Sequence, residues 1–315
     1  MSKKIPVGIS GCLTGEEIRY NGGHKYDAYI NRTLTDYFKL VSFCPEVGAG
    51  LGVPRPPIRL VKVAELVRAV HVDDPAIDVT DQLHSYSKSQ GNRIEPLCGF
   101  ILKKGSPSCG MERVKLYNEK GIPDQQATGI FASYLRQKFP NLPLEEEGRL
   151  GDARLRENFI QRVFVYWHWR ELLKEGLTVV GLTGFHARLK LTLMSHQQNR
   201  ARELGVLAAS ARDGNVNEVA EEYIGKVMQL LGKPASVSNH VNVLQHIQGY
   251  LKRELDKDDK AELVDVIRQY QQGDVPLIVP ITLLKHHFRK TPDQYIENAW
   301  YMNPYPQQLR LRNRL

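Results

Sequence analysis

Four cysteines stand at positions 12, 44, 98 and 109, and three of them sit in loops built from small and turn-forming residues. Cys12 lies in SGCLTG, Cys44 in CPEVGAGLGVPRPP and Cys109 in GSPSCG. Thiolates are soft donors, and glycine-rich loops leave backbone N–H groups free to face a negatively charged iron–sulfur centre. Zinc also takes thiolates, but structural zinc sites usually carry a close C-x-x-C pair and four protein ligands, and no such pair occurs here. Three thiolates on a four-iron cluster would leave one iron open as a Lewis acid toward a soft guest such as a thiocarbonyl sulfur. Plain burial is the common fate of a cysteine. It is the reading for Cys98, which lies on an apolar run between Leu97 and Phe100.

Two residues past Cys44, Glu46 is placed to orient and deprotonate a water; the alternative is a carboxylate that braces its loop. Ser106 and Ser108 precede the third cysteine. Ser106 is the first choice for a hydrogen bond to a reacting centre, with Ser108 close enough to share the role, although Ser-Pro is also an ordinary turn starter.

Short apolar strands must carry these loops. IPVGIS reads as a buried strand ending just before Cys12, Leu40 to Phe43 as a second ending at Cys44, and Cys98 to Leu102 as a third running toward Cys109. Helical segments over 29–37 and 81–90 fit between them, so the first part is expected to be α/β with a mainly parallel, Rossmann-like sheet. Its ligands should gather at the carboxyl edge of the strands. The stretch FPNLPLEEEGRLGD, residues 139–152, combines prolines, acids and glycines and reads as a boundary. Beyond it apolar residues recur at helical spacing over 153–174, 184–210, 217–231, 238–255, 260–272 and 281–290, which predicts an all-α second domain.

At 315 residues and 42% hydrophobic content the chain is long enough for two domains with real cores. No apolar run reaches the roughly 18 residues of a membrane span, so no membrane partner is expected and a cytoplasmic setting is the default. That compartment disfavours disulfides and leaves the cysteines for metal or thiol chemistry. A net charge of +8 is spread along the chain rather than gathered in a tail, and favours a polyanionic partner only weakly.

With SGCLTGEEIRYNGG, CPEVGAGLGVPRPP, DVTD and ILKKGSPSCG in order, residues 1 to about 140 resemble the thiouracil desulfidase (TudS-like) family. HARLKLTLMSHQQNRARELG, NVLQHIQGYLKREL and PLIVPITLLKHHF resemble the YbgA-type helical domain. The combination is similar to the fused RudS-type proteins. The resemblance implies a tRNA 4-thiouridine desulfidase that releases sulfide without net redox change. It also implies a 4Fe-4S cluster on Cys12, Cys44 and Cys109 with one open iron, with Glu46 and a serine of SPSC in the active site. The implied organisation is a desulfidase domain over 1–145, a linker and connecting helix over 146–180, and a YbgA-type domain over 181–315. Gly11, often Ala in the family, and Ala49, often Gly, depart from its pattern while staying small.

A base buried in folded tRNA must leave its stack, so a backbone grip and an aromatic surface are expected. Arg19, Tyr20, His24 and Lys25 follow the first cysteine, Arg55 and Arg59 the second, and Lys103 and Lys104 precede the third. Arg188 and Lys190 lie at helical spacing with His186 and His196, ahead of Arg200 and Arg202. The histidines are read as phosphate or packing contacts rather than metal ligands. YWHWR, residues 166–170, reads as core or interdomain packing, and the tail LRLRNRL as a short basic segment directed toward RNA. Two other readings stand beside the tRNA enzyme: a desulfidase of free thiouracil-type bases, and a non-catalytic iron–sulfur or zinc protein. Oligomeric state is not legible.

Overall fold

The computed structural model describes residues 4–118 and 120–313. The chain divides into two compact units, Met1–Gly151 and Asp152–Leu315.

The first unit is α/β. Its strands are β1 (Ile5–Ser10), β2 (Phe38–Phe43), β3 (Ile58–Val63), β4 (Leu66–His71), β5 (Phe100–Leu102), β6 (Val114–Tyr117), β7 (Pro123–Ala127) and β8 (Leu144–Glu146). Its helices are α1 (Ala28–Arg32), α2 (Pro45–Gly48), α3 (Thr80–Ser89), α4 (Gly91–Ile94) and α5 (Ile130–Lys138). One sheet runs β2-β1-β5-β8 and all its pairs are parallel. Strands buried on both faces read as unbroken apolar runs. Val7, Ile9, Phe100, Ile101 and Leu102 accordingly have no measurable exposure, and Phe43, Phe100 and Phe131 pack ring to ring beside them. The expected helix over 29–37 is shorter, with α1 giving way to a 3-10 turn at Leu34–Asp36.

A second sheet, β4-β3-β6-β7, mixes antiparallel and parallel pairs and was not expected. IRLVKV and LVRAVH form a hairpin in which Val63 pairs with Leu66 across Ala64-Glu65, with Ala64 at φ 51°. The stretch read as a boundary also holds structure, since β8 completes the parallel sheet. Buried Glu146 accepts the Met111 N–H at 2.8 Å, and Glu145 accepts the Arg149 Nε–H at 2.6 Å. Part of an acidic cluster that looks like a solvated linker is therefore an edge strand whose buried carboxylates are met by the Met111 N–H and the Arg149 guanidinium.

The second unit is helical: α6 (Ala153–Glu175), α7 (Val179–His196), α8 (Gln198–Ala209), α9 (Val216–Leu231), α10 (Val237–Tyr250), α11 (Lys257–Gln272), α12 (Ile278–Lys290) and α13 (Gln294–Asn298). In α9 the buried positions Val216, Val219, Ala220, Tyr223, Ile224, Val227, Met228 and Leu231 follow the three-and-four spacing of one helix face. Periodicity over 184–210 suggested a single helix, but Gln197 adopts φ −163° and ψ 116° and splits it into α7 and α8. One core gathers Trp169, Phe185, Leu204 and Tyr223, and another Leu244, Leu263, Leu284 and Tyr301. Among the described residues no helix is long and apolar enough to cross a membrane.

Candidate active site

Parallel pairing brings the cysteine loops together. Ser10 pairs with Phe43 and Ile9 with Ile101, so three neighbouring strands end at one sheet edge and release the loops carrying Cys12, Cys44 and Cys109. Cys12 enters a 3-10 turn at Gly11–Thr14, and Cys44 caps α2, whose first residue is proline. Gly11 is tightly enclosed: a Cβ there would fall 2.3 Å from Ser42 Oγ and 2.8 Å from Ile18 Cδ1. After α2, Gly50 and Gly52 take φ of 86° and 75°, a region open to glycine at little cost, and turn the chain back toward the cleft.

The three cysteines line a cleft of about 210 Å³ together with Ser10, Arg19, Tyr20, Glu46, Arg55, Lys103, Lys104 and Ser106. All are free thiols. Burial, then the neighbouring Cys44, pushes Cys12 up to about 11. Burial is also the main cause that raises Cys44 and carries Cys109 well above its ordinary value, although Ser10 hydrogen-bonds the Cys109 thiol. Clustered buried thiols resist ionisation unless a metal charge is supplied, and coordination deprotonates them. Among the described residues no three His, Cys, Asp or Glu side chains are arranged to hold a metal ion. Three soft thiols gathered on one cleft are a donor set that fits an iron–sulfur cluster.

Glu46 is gripped from both sides. Arg55 Nε and Nη2 donate to Oε2 at 2.9 and 2.7 Å, while Ser108 Oγ donates to Oε1 at 2.8 Å. Ser108 has no measurable exposure, so it braces Glu46 from behind. Ser106 lines the cleft: its oxygen accepts N–H groups of Ser108 and Cys109, each at 3.2 Å, and its hydroxyl stands 3.5 Å from Oε1. The two serines are thereby distinguished by geometry, with Ser106 facing the cleft and Ser108 facing its wall.

The expected RNA contacts separate. Tyr20 is 42% exposed at the cleft with the Arg19 guanidinium 5.3 Å from its ring centre. Lys103 pairs with Glu147, whose other oxygen accepts the Lys104 N–H at 2.6 Å, leaving the Lys104 side chain unspent in those bonds. Lys25 is exposed, and Arg59 stacks on Tyr117 at 5.1 Å; neither lines the cleft. Arg55 is buried rather than presented to solvent. In the second unit Arg188 and Lys190 are exposed, with Arg188 over Trp300 at 5.1 Å. His186 bonds Tyr223 OH at 3.0 Å, and His196 meets Lys233 O at 2.7 Å and the Gln161 side chain at 3.0 Å, so both serve packing. Trp169 of YWHWR is core. The basic tail is tucked in rather than extended: Leu309, Leu311 and Arg312 are buried and Arg312 donates to Glu157 at 2.9 Å, while Arg314 and Leu315 lie outside the described residues.

Several site residues were not foreseen. Ser10 also accepts the Lys103 N–H at 3.0 Å, and Tyr86 packs beneath α2 where a Cβ on Gly48 would come within 2.0 Å of its ring. Burial raises the Tyr86 phenol to about 12. The only signals were a serine beside SGC and the glycine closing CPEVG.

Residues 7–147 match the family described as 2-thiouracil desulfurase, and residues 190–306 the family described as protein of unknown function (DUF1722). Uncharacterized protein YbgA of Escherichia coli (strain K12) is 30% identical over 161 residues, 51% of this chain and 95% of that protein. Uncharacterized protein YbbK of Bacillus subtilis (strain 168) is 34% identical over 113 residues, 32% of this chain and 71% of that protein. The chain carries a 2-thiouracil desulfurase-type domain fused to a YbgA-type domain. A solved structure described as the 4Fe-4S-dependent thiouracil desulfidase TudS shares 26% identity, covers 48% of this chain and 95% of its own, and has a TM-score of 0.38. The desulfurase match ends inside the first unit, so the cleft lies wholly within the desulfurase part, and Arg188 falls just ahead of the second match.

Proposed function

We propose that this protein is an iron–sulfur-dependent desulfidase that converts 4-thiouridine in tRNA to uridine and releases sulfide. The observation that carries the reading is the meeting of Cys12, Cys44, Cys109, Glu46 and Ser106, from separate loops, in one cleft. The exchange of C=S for C=O consumes one water, releases hydrogen sulfide and moves no net electrons. Cys12, Cys44 and Cys109 would hold a 4Fe-4S cluster, which when bound supplies an iron without a protein ligand as a Lewis acid for the thiocarbonyl sulfur.

The remaining work belongs to side chains. Glu46 Oε1 takes a proton from the attacking water and returns it to the leaving sulfur. The Ser106 hydroxyl, its oxygen already fixed by two N–H groups, donates to the ring as charge develops. The exposed Tyr20 ring offers a stacking face for a base drawn out of its helix, and Arg19, Lys25 and Lys104 meet the flanking phosphates. Arg188 and Lys190 supply further phosphate contacts on the YbgA-type unit.

A second reading, in which the substrate is a free thiouracil-type base, is favoured by the cleft being lined wholly by residues inside the desulfurase match. Anaerobically purified protein is assayed for iron and sulfide, then given thiolated tRNA and free 4-thiouracil in parallel, with nucleosides and bases quantified over many turnovers. Loss of 4-thiouridine, with tRNA affinity falling steeply as salt rises, supports the tRNA enzyme. Turnover of free base alone supports the second reading, and a fully loaded protein that turns over neither substrate would sink both.

A further inference from the structure

Resting on the desulfidase reading, we propose that Arg55 is a positioning residue of the reaction, which holds Glu46 at a fixed place relative to Tyr20, and that it takes no part in gripping RNA. Its guanidinium is spent inside the protein. Nε and Nη2 donate to Glu46 Oε2, Nη1 donates to Gly52 O at 2.8 Å, and Nη2 also donates to Ile18 O at 3.1 Å. Only 4% of the side chain is exposed. A phosphate-binding arginine presents a free edge to solvent, whereas this one makes four hydrogen bonds inside the protein with the five N–H donors it carries.

The same residue ties three pieces of the site. Its backbone N–H donates to Tyr20 O at 2.8 Å, its side chain reaches Ile18 of the first cysteine loop, and Glu46 and Gly52 belong to the second. Both hydrogen bonds to Glu46 end on Oε2, so the carboxylate cannot rotate freely and Oε1 alone is left toward Ser106 and Ser108. Arg55 thus sets the spacing between a base stacked on Tyr20 and the oxygen that must handle the water, a placement in which an error of about 1 Å can cost about 100-fold in rate. Lysine cannot replace it, because a single ammonium lacks the planar fork that meets Glu46, Gly52 and Ile18 together.

The test compares wild-type protein with R55K and R55A, each scored for iron and acid-labile sulfide, tRNA affinity by fluorescence anisotropy, and kcat and KM on thiolated tRNA. Expected is a fall in kcat of about 100-fold in both variants, with cluster content, KM and tRNA Kd within about twofold of wild type. Added guanidinium should partly restore R55A and leave R55K unchanged. If R55A does not load its cluster, R55K carries the test. The proposal is overturned by undiminished kcat in R55K, by weakened tRNA binding at intact kcat, or by cluster loss in both variants. A wild-type protein without turnover would instead remove the desulfidase reading, and this proposal with it.

Discussion

Mild acid should loosen the YbgA-type unit, and the size of the effect follows from its enclosed imidazoles. His196 lines a cavity of about 150 Å³ and is walled by protein; burial, against the Lys233 carbonyl and with Arg162 nearby, holds it down at about 4. His168, stacked on Trp300, and His186, against Tyr223, are also lowered to about 4, by burial first and then by Arg188 and Lys190 respectively. His240 is driven well below its ordinary value by burial and by Arg312. Each ring is protonated more readily in the unfolded chain. Their stability contribution is therefore complete above the unfolded pKa of about 6.5 and is lost as pH falls toward about 4. At about pH 5 His196 alone costs about 2 kcal/mol, and His168 and His186, discounted for the solvent around them, add about 2 kcal/mol more together. That is a large share of the roughly 5–15 kcal/mol that holds a domain folded. The chain's tryptophans, Trp167, Trp169 and Trp300, all lie in this unit, so tryptophan fluorescence during urea unfolding reports on it alone. The midpoint should drop from about pH 7.5 to about pH 5, and H196Q should recover about half of the drop. A midpoint that stays level over that range, or an H196Q variant that falls as far as wild type, refutes the reasoning.

Replacing Glu46 by Gln should lower turnover by about 10²- to 10⁴-fold while iron content holds, since proton transfer is lost and the cysteines are untouched; E46Q with wild-type kcat would remove Glu46 from the chemistry. S106A and S108A should differ in kind: S106A loses rate with an unchanged melting temperature, whereas S108A removes a hydrogen bond to the Glu46 carboxylate from the buried wall and destabilises the first unit by about 1–3 kcal/mol, read by calorimetry. G11A forces a Cβ toward Ser42 and should cost about 1–3 kcal/mol through overpacking, with S42G restoring much of the loss in the double variant. Restoration absent, the close approach to Ser42 is not what keeps position 11 bare. Arg19→Ala should weaken tRNA binding and lower its salt slope by about one, measured by titration at several salt concentrations.

What could be read from residues alone was whatever a single segment fixes by itself. Buried parallel strands announce themselves as apolar runs, which is why IPVGIS and the strand before Cys44 stood out, and α9 could be placed within a residue because its apolar face repeats along sixteen positions. Convergence of the cysteine loops was legible too, since each followed a strand and parallel strands share one carboxyl edge. Properties that depend on partners distant in sequence were hidden. Nothing local marks Arg55 as buried beside Glu46, Ser108 as facing the wall while Ser106 faces the cleft, or Leu144–Glu146 as an edge strand. Each needs an oxygen or N–H brought from elsewhere in the fold. The hairpin was hidden for a different reason: IRLVKVAELVRAV alternates well enough, but its two-residue turn is Ala64-Glu65, without the Asn or Gly that usually marks one.

Under the proposed desulfidase reading, the surroundings of Glu46 bear on how a water is aimed at the reacting carbon. A carboxylate that only balanced charge near the cysteines could be mobile and solvated. This one has Oε2 closed by a guanidinium that is itself held by two carbonyls, and Oε1 held by a hydroxyl with no solvent contact. Holding a carboxylate this way costs desolvation of both ions, which a surface pair would avoid. The arrangement is explained if orientation is worth more than that cost, as it is when a water must be aimed at one carbon. It follows that the pair should be judged by rate and not by stability. A variant replacing Arg55 and Glu46 together by Met and Leu could be as stable as wild type or more so, and should still be inert toward thiolated substrate. Turnover surviving in that double variant would mean that the water is aimed by some other group.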